Sequence, residues 1–450
     1  MAARDLVREV VIETKGKGYV AANPIDRGVI VLEEKPFAFA VHDGMIGKVC
    51  HECLVRSQKL YRCANCEFAR YCGKQCQKKA WKMHKSECTR LQTNSGPEYN
   101  ETIRFLGRAI DKLDALKAKN EANPIRDLLS NPNETLRPEL GDVIRSNTYL
   151  FTRKFLGCDL DIKLYDQLVG QHRRNGFGLR DDAYLEGAAI ALFPKFSLFN
   201  HSCSPNVAPF NVGTSIRARA IRPIRQGEEL TMNYVEDLML EPIEYRKERL
   251  RIRYLFDCTC PACTSPEAIE KNKIHTRLRV ERPGINVRQC VEECKDIDKI
   301  ADALKKAHFN VAALAILEKF IESSPLDRRS CYIRKLASSA QACCFALDMW
   351  KRTLEFGDIV TESMKTFVSS DNMFLAQHYL ALCASLLPLE RHVDAARLTQ
   401  MALEAFEAVL GKDHPATMHY EENKRYCLFN SAEYQEACRR GNSICFFDLN

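Results

Sequence analysis

Two kinds of hydrophobic patterning divide the chain. Residues 6 to 41 carry short β-branched runs, REVVIE and GVIVLEE, with TKGKGY and NPIDRG as the turns between them, which predicts strands. The same signature returns from 187 to 235 in AAIALF, VAPFNV, SIRARAI and ELTMNYV, with NHSCSPN and PIRQGEE as turns. Between these regions, residues 101 to 171 read mostly as helix. Ile103, Leu106, Ile110 and Leu113 recur at three-to-four spacing, NPIRDLLSNPN (123–133) breaks the run, and QTNSGPEYN (92–100) is a linker by composition. Beyond CTCPACTSP the pattern is helical throughout. Its Ala/Leu-rich units AALAILEKF, ASSAQACCFAL, FLAQHYLALCASLL, DAARLTQMALEAFEAVL and EYQEACRR recur every few tens of residues, suggesting stacked helix pairs of the tetratricopeptide type.

With 450 residues, 46% of them hydrophobic, the chain is long enough for two or three domains. No apolar run reaches the roughly 18 residues of a membrane span. The opening MAARDLVREVVIE places charges where a signal peptide is apolar, so secretion is not expected. In a reducing compartment the 21 cysteines read as metal ligands and buried thiols. The net charge of +7 is concentrated: residues 50 to 92 hold ten Lys/Arg against Glu52, Glu67 and Glu87. Such a surface attracts nucleic acid or acidic protein, unless it is only the solvated face of a small module.

The cysteine-dense segment reads Cys50-x2-Cys53-x9-Cys63-x2-Cys66-x5-Cys72-x3-Cys76-x7-His84-x3-Cys88. Eight N/S ligands make two closed tetrahedral zinc sites. Interleaving gives Cys50, Cys53, Cys72 and Cys76 as one site and Cys63, Cys66, His84 and Cys88 as the other; sequential pairing is also open on spacing alone. So small a module depends on its metal to fold. A second cluster, Cys258, Cys260 and Cys263, supplies three thiolates where zinc takes four, and Cys203, a lone thiol in NHSCSPN, is the available fourth. The alternative is a set of unrelated buried thiols. The other ten cysteines, Cys158 and nine beyond residue 289, read as small buried hydrophobes.

The first pattern, with YCGKQCQKKAWKMHKSEC, resembles a MYND zinc finger. The order KGKGY, NHSCSPN, GEELTMNY, CTCPAC resembles a SET domain. Together they resemble the SET-and-MYND-domain family across the whole chain. The resemblance implies an α+β architecture: a β-rich SET domain (1–48 and 181–245) split by a MYND finger (49–88) and a helical insert (89–180). A zinc-bound post-SET segment (246–268) and an all-α, TPR-like C-terminal domain (269–450) follow.

It also implies an S-adenosylmethionine-dependent protein-lysine N-methyltransferase with three zinc ions, acting on lysines of histone or non-histone proteins. Tyr234 matches the catalytic tyrosine, and Phe177, Tyr234 and Tyr254 the lysine channel. Gly16, Lys17, Gly18, Asn131, Asn175, Ser197, Asn200, His201, Tyr234 and Phe256 match the cofactor site. The residue types suit the reaction: at pH 7 deprotonating a free lysine costs roughly 4–5 kcal/mol, and a dry aromatic channel lowers that cost. Four positions depart from the family pattern. Leu129 replaces an acidic residue that can hold the cofactor's ribose, Ala189 and Ala191 replace glycines whose added methyls would tighten the channel, and Lys17 replaces an Asn.

MYND fingers take proline-containing peptides, and Trp81 fits either that groove or the finger's own packing. The resemblance thus implies protein partners, nucleic acid only secondarily, no membrane, a monomer, and a place in cytoplasm and nucleus. A scaffold that binds proline-containing partners through a catalytically weak SET fold is the competing expectation. A RING-type ubiquitin ligase leaves residues 100 to 263 without purpose.

Overall fold

The computed structural model describes residues 6–94, 96, 98–130, 138–183, 185–279 and 284–431, without the side chains of 138–144, 236 and 237. Asn131 and the EYQEACRR unit lie outside the described residues.

The N-terminal β-branched runs form β1 (Val7–Ile12), β2 (Gly16–Ala21), β3 (Ile30–Glu34) and β4 (Ala38–Val41). Only the first half of TKGKGY turns. Thr14 and Gly16 adopt left-handed φ of 67° and 81°, and the rest is strand, pairing Gly18 with Val10. In the finger, β5 (Tyr61–Arg62) and β6 (Arg70–Tyr71) precede α1 (Lys74–Thr93). α1 is helical five residues beyond Cys88, into the expected linker. The insert holds α2 (Glu101–Ala118), α3 (Pro138–Leu156) and α4 (Ile162–Asn175); Asn100 caps α2 by accepting from the Thr102 and Ile103 amides.

The helical pattern was expected through residue 171 and the insert through 180. The helix ends at Asn175, where Gly176 gives way to β7 (Gly176–Arg180). A Cβ at Gly176 would stand 2.3 Å from the His172 carbonyl oxygen, so the switch from helix to strand requires glycine. β7 pairs with β8 (Gly187–Leu192), which pairs with β4. Then come β9 (Asn200–His201), β10 (Val207–Val212), β11 (Ser215–Ala220) and β12 (Glu229–Met232).

The strands make three small sheets, β1-β2-β12-β9, β10-β11-β3 and β4-β8-β7, around a core that includes the fully buried Phe193, Phe196 and Phe199. NHSCSPN, expected as a turn, therefore begins as a strand. Asn200 and His201 run parallel to Thr231 and Met232, and β12 in turn pairs with β2. Parallel pairing needs a distant partner strand, which local patterning does not reveal.

α5 (Ile243–Tyr254) and two short helices, α6 (Pro261–Thr264) and α7 (Pro266–Asn272), lead into the C-terminal stack. This comprises α8 (Val287–Lys306), α9 (Asn310–Ser323), α10 (Cys331–Ala346), α11 (Trp350–Phe367), α12 (Met373–Leu386), α13 (His392–Val409) and α14 (Pro415–Phe429). Its repeat is visible in the turns. His308, Asp348 and Glu390 are all left-handed (φ 63°, 56° and 58°), and each precedes a residue with φ near −86° that opens the next helix. Their spacing of about forty residues is the period of stacked helix pairs.

The stack rests on the β-rich body. Glu241 takes Arg334 at 2.9 Å and Lys335 at 2.7 Å, His414 Nε2 donates to the Asn211 carbonyl at 3.1 Å, and Arg219 donates to the Leu410 carbonyl at 3.0 Å. Of the remaining cysteines described, those beyond residue 289 are buried as expected, but Cys158 is exposed, in the short loop between α3 and α4. No helix among the described residues is long and apolar enough to cross a membrane.

Candidate functional site

Three ligand clusters form, and the interleaved pairing is the one observed: Cys50, Cys53, Cys72 and Cys76; Cys63, Cys66, His84 and Cys88; and Cys203, Cys258, Cys260 and Cys263. Sulfurs at the corners of a zinc tetrahedron lie about 3.8 Å apart, given Zn–S near 2.3 Å. Cys53 and Cys72 are 3.7 Å apart, Cys63 and Cys88 3.7 Å, and Cys203 and Cys263 3.6 Å. The donor sets fit zinc. His84 turns Nε2 toward Cys66 at 3.5 Å and donates from Nδ1 to Glu87 at 2.9 Å. Glu87 also accepts from Arg108 on α2 at 2.6 and 3.1 Å, so the ligand's second ring nitrogen is anchored through two elements.

The third cluster fixes a turn beside a large cleft, about 1590 Å³ in volume. Gly16, Lys17, Asn175, Phe177, Ser197, Asn200, His201, Tyr234, Tyr254 and Phe256 line it, as does Leu129; Gly18 lies just behind its wall. The sheet order explains the convergence, since β2, β12 and β9 place the GKG strand, Tyr234 and Asn200 side by side.

At Gly18 a Cβ would meet Asn200 Nδ2 and Ile12 Cδ1, both at 2.6 Å, so the bare backbone there makes room for the Asn200 amide, which donates to the Lys17 carbonyl at 3.4 Å. Lys17 itself points to solvent, near Glu9 at 3.5 Å and Asp127 at 3.8 Å. Asn175 donates to the Leu129 carbonyl at 2.9 Å, so the loop enters the cleft wall through its backbone. Ser197 Oγ donates to the Phe193 carbonyl at 2.8 Å.

Tyr234 is the centre of the aromatic group. Its ring lies 4.8 Å from Tyr254 and 6.3 Å from Phe256. Its hydroxyl donates to the Phe199 carbonyl at 2.7 Å. Burial, with Tyr254 and Glu229 nearby, pushes its pKa well above that of a free tyrosine, so the proton stays on oxygen. With that proton committed to Phe199, the oxygen offers the cleft its lone pairs, an acceptor suited to an amine N–H or a polarised methyl C–H. Phe177 packs on Phe193 at 5.8 Å and Phe196 at 6.0 Å, forming another part of the wall.

One expectation is corrected. Ala189 and Ala191 do not line the cleft. They are fully buried in β8, opposite Leu179 and Phe177, where their methyls fill the core. His201 lines the cleft with both ring nitrogens engaged: Nδ1 accepts the Tyr234 amide at 3.1 Å, and Nε2 faces Cys203 Sγ at 3.3 Å. Trp81 is 42% exposed and meets the His84 ring edge-on at 6.2 Å, so it has both a free face and a packed edge.

Other features escaped the sequence. Leu255 is left-handed (φ 64°) and stops α5, so that Tyr254 and Phe256 on either side of it both reach the cleft. Asn206 is buried and accepts the Thr231 amide at 2.8 Å, locking the NHSCSPN segment onto β12. Phe374 of α12 reaches the cleft from the C-terminal stack, and no local pattern marks it.

These features define a zinc-stapled β-rich domain, interrupted by a zinc finger and backed by a helical stack. Residues 50–88 match the MYND finger family. The chain is 29% identical to N-lysine methyltransferase SMYD2 of Homo sapiens, over 89% of this chain and 94% of the relative. It is 27% identical to histone-lysine N-methyltransferase SMYD3 of Homo sapiens, over 89% and 92%. Among solved structures, the SET domain of LSMT bound to lysine and AdoHcy is similar at a TM-score of 0.35 and 12% identity, covering 100% of this chain and 94% of that one. Over about nine-tenths of its length this chain is thus similar to SET-and-MYND-domain lysine methyltransferases, and its residues 50–88 form a MYND finger.

Proposed function

We propose that this protein is an S-adenosylmethionine-dependent protein-lysine N-methyltransferase whose acceptors are lysines of histone or non-histone proteins. The observation that carries the reading is the Tyr234 hydroxyl, its proton committed to the Phe199 carbonyl and its lone pairs facing a cleft walled by Tyr254 and Phe256. S-adenosylmethionine, when bound, supplies an electrophilic methyl group on a sulfonium. The open backbone at Gly16 (left-handed, with nothing near a would-be Cβ), the Asn200 amide and the Phe256 ring suit such a ligand. Tyr234 and Tyr254 hold the incoming amine in line and exclude the water that would keep it protonated. Their ring faces favour the positive charge that persists as the amine is alkylated.

In this reading the finger is a protein-interaction module for proline-containing segments, and the chain acts as a monomer in cytoplasm and nucleus. The units are a SET body (1–48 and 181–245), the finger (49–88), an insert (89–180), the post-SET segment (246–268) and the stack (269–450). Exposure of Trp81 favours its role in a peptide groove.

Calorimetry of S-adenosylmethionine binding, paired with transfer of a labelled methyl group to histone and cytosolic protein pools, tests the reading on zinc-loaded protein. Asn200→Ala is expected to abolish binding. Tyr234→Phe is expected to keep it and lose about a hundredfold in turnover. Folded wild type that binds no cofactor would leave the scaffold reading instead.

A further inference from the structure

Arg246 of α5 is buried, 4% exposed, yet no carboxylate among the described residues pairs with it. Arg104, Arg108 and Arg334 are buried as well, and each is held by an acid: Asp43, Glu87 and Glu241. Arg246 instead donates to the Glu241 carbonyl at 3.0 Å, the Ala262 carbonyl at 2.5 Å and Cys263 Sγ at 3.6 Å. Carbonyl dipoles solvate a cation without cancelling its charge, and an uncompensated charge is costly to bury. The third metal cluster has the opposite need. Four thiolates around a divalent zinc ion carry a net double negative charge. In the finger, Cys72 opens the other all-cysteine cluster to solvent, and the remaining cluster has His84 in place of one thiolate. The third cluster is all cysteine, and Cys203, Cys258 and Cys263 are buried.

We propose that Arg246 is the counter-cation of the third zinc cluster, and that this charge pair positions the aromatic wall of the cleft. Neither partner is balanced alone, and the two are in contact. One guanidinium halves the net charge of the cluster, and the His201 N–H serves a second sulfur, Cys203. The other Arg246 contacts tie the cluster to its surroundings. Ala262 belongs to the CTCPAC turn, and Glu241 is the residue whose carboxylate takes Arg334 and Lys335 of the stack. From Arg246, α5 runs on to Tyr254, and Leu255 stops it so that Tyr254 and Phe256 reach the cleft. Drawing Arg246 to the metal therefore fixes where that helix ends. Arg246 lies outside the cleft lining, so it is a positioning residue. It takes this role wherever the third zinc ion is bound, whichever reaction the cleft performs.

The test is a chelator challenge of full-length protein verified to hold three zinc ions, with freed thiols trapped by iodoacetamide and mapped by peptide mass spectrometry. Arg246→Gln keeps an N–H donor and loses the charge, whereas Arg246→Lys keeps the charge and loses the planar fork. In Arg246→Gln, Cys203, Cys258, Cys260 and Cys263 are expected to be alkylated about tenfold faster than in wild type, and the eight finger ligands at the wild-type rate. In Arg246→Lys the same four should stay within about threefold of wild type. Without chelator and with zinc bound, amide hydrogen exchange over residues 247–257 should quicken about tenfold in Arg246→Gln and little in Arg246→Lys. Lysine failing as badly as glutamine overturns the charge assignment in favour of hydrogen-bond geometry. Unchanged exchange in α5 overturns the positioning role, and equal labilisation of the finger ligands overturns a local one. If Arg246→Gln does not fold, Arg246→Lys decides alone: protection near wild type upholds the counter-cation, and protection lost overturns it.

Discussion

His201 joins the third metal cluster to Tyr234: one ring nitrogen lies 3.3 Å from Cys203 Sγ, and the other accepts the Tyr234 amide at 3.1 Å. A neutral imidazole carries one proton. Since Nδ1 accepts, Nε2 holds the proton and donates to sulfur. A zinc-bound thiolate is the better acceptor, so metal binding at Cys203 settles the tautomer that suits Tyr234. His201 is a positioning residue, acting through Tyr234.

Two substitutions divide that role. His201→Asn places an amide oxygen near Nδ1 and keeps the Tyr234 contact. His201→Gln places an N–H near Nε2 and keeps the sulfur contact. His201→Asn should release zinc to a chelator several times faster while keeping most of its turnover. His201→Gln should hold its zinc and lose about tenfold in kcat, with little change in KM. If both variants release zinc and turn over like wild type, the ring is only filling space.

Gly18 tests the cofactor wall. Its missing side chain is occupied by Asn200 and Ile12, each 2.6 Å from where a Cβ would stand. Gly18→Ala must displace the Asn200 amide and should weaken S-adenosylmethionine binding at least tenfold, about 1.4 kcal/mol. Lys17→Asn, at an exposed position, should change affinity by less than twofold. Calorimetry on the pair distinguishes a backbone requirement from a charge requirement.

The chemistry of this chain was more legible than its topology. Cysteine spacing carried all twelve metal ligands, because tetrahedral coordination forces short-range pairs and leaves Cys203 as the missing fourth. Strands β8, β10 and β11 were readable from their apolar and β-branched runs, and α2 from the period of Ile103, Leu106 and Ile110. Pairing was not readable. The parallel match of Asn200 to Thr231 depends on a strand thirty residues away. The acceptor for Tyr234 is a backbone carbonyl, which any residue supplies. The channel significance expected for Ala189 and Ala191 failed for a related reason: β8 is the central strand of its sheet, and its place between β4 and β7, not the motif, buries both methyls.

Arg108 should prove necessary to the finger although it binds no metal. It and Glu87 are buried together, and Arg108 also donates to the Phe39 carbonyl at 2.8 Å, tying the zinc site to β4. Removing one member of a buried ion pair costs about 3–5 kcal/mol. Arg108→Ala should therefore lower the thermal midpoint and weaken the His84 site by about 10–100-fold. Under a chelator, zinc content should fall by one ion per chain before the other two are affected. Equal loss from all three sites would contradict the local anchor.

Acid should loosen the C-terminal stack through His275. This side chain is buried against the Phe367 ring at 4.4 Å, and its Nδ1 accepts the Cys331 amide at 3.2 Å. Burial, then the cations Arg246, Arg334 and Lys335, pull its pKa down to about 3. In the unfolded chain it titrates near 6.5. Above that pH both states are neutral and the residue imposes no penalty. Between about 6.5 and 3 the unfolded state takes up a proton that the folded state refuses, so stability falls by up to about 1.4 kcal/mol per pH unit. His275→Asn can still accept the Cys331 amide, but it forfeits the ring stack and cannot titrate. It should be less stable than wild type at pH 7, with a shallower decline from pH 6 to 4.5. Chemical denaturation at several pH values, followed by helical circular dichroism, reads both effects. A variant that declines as steeply as wild type would place the acid sensitivity elsewhere.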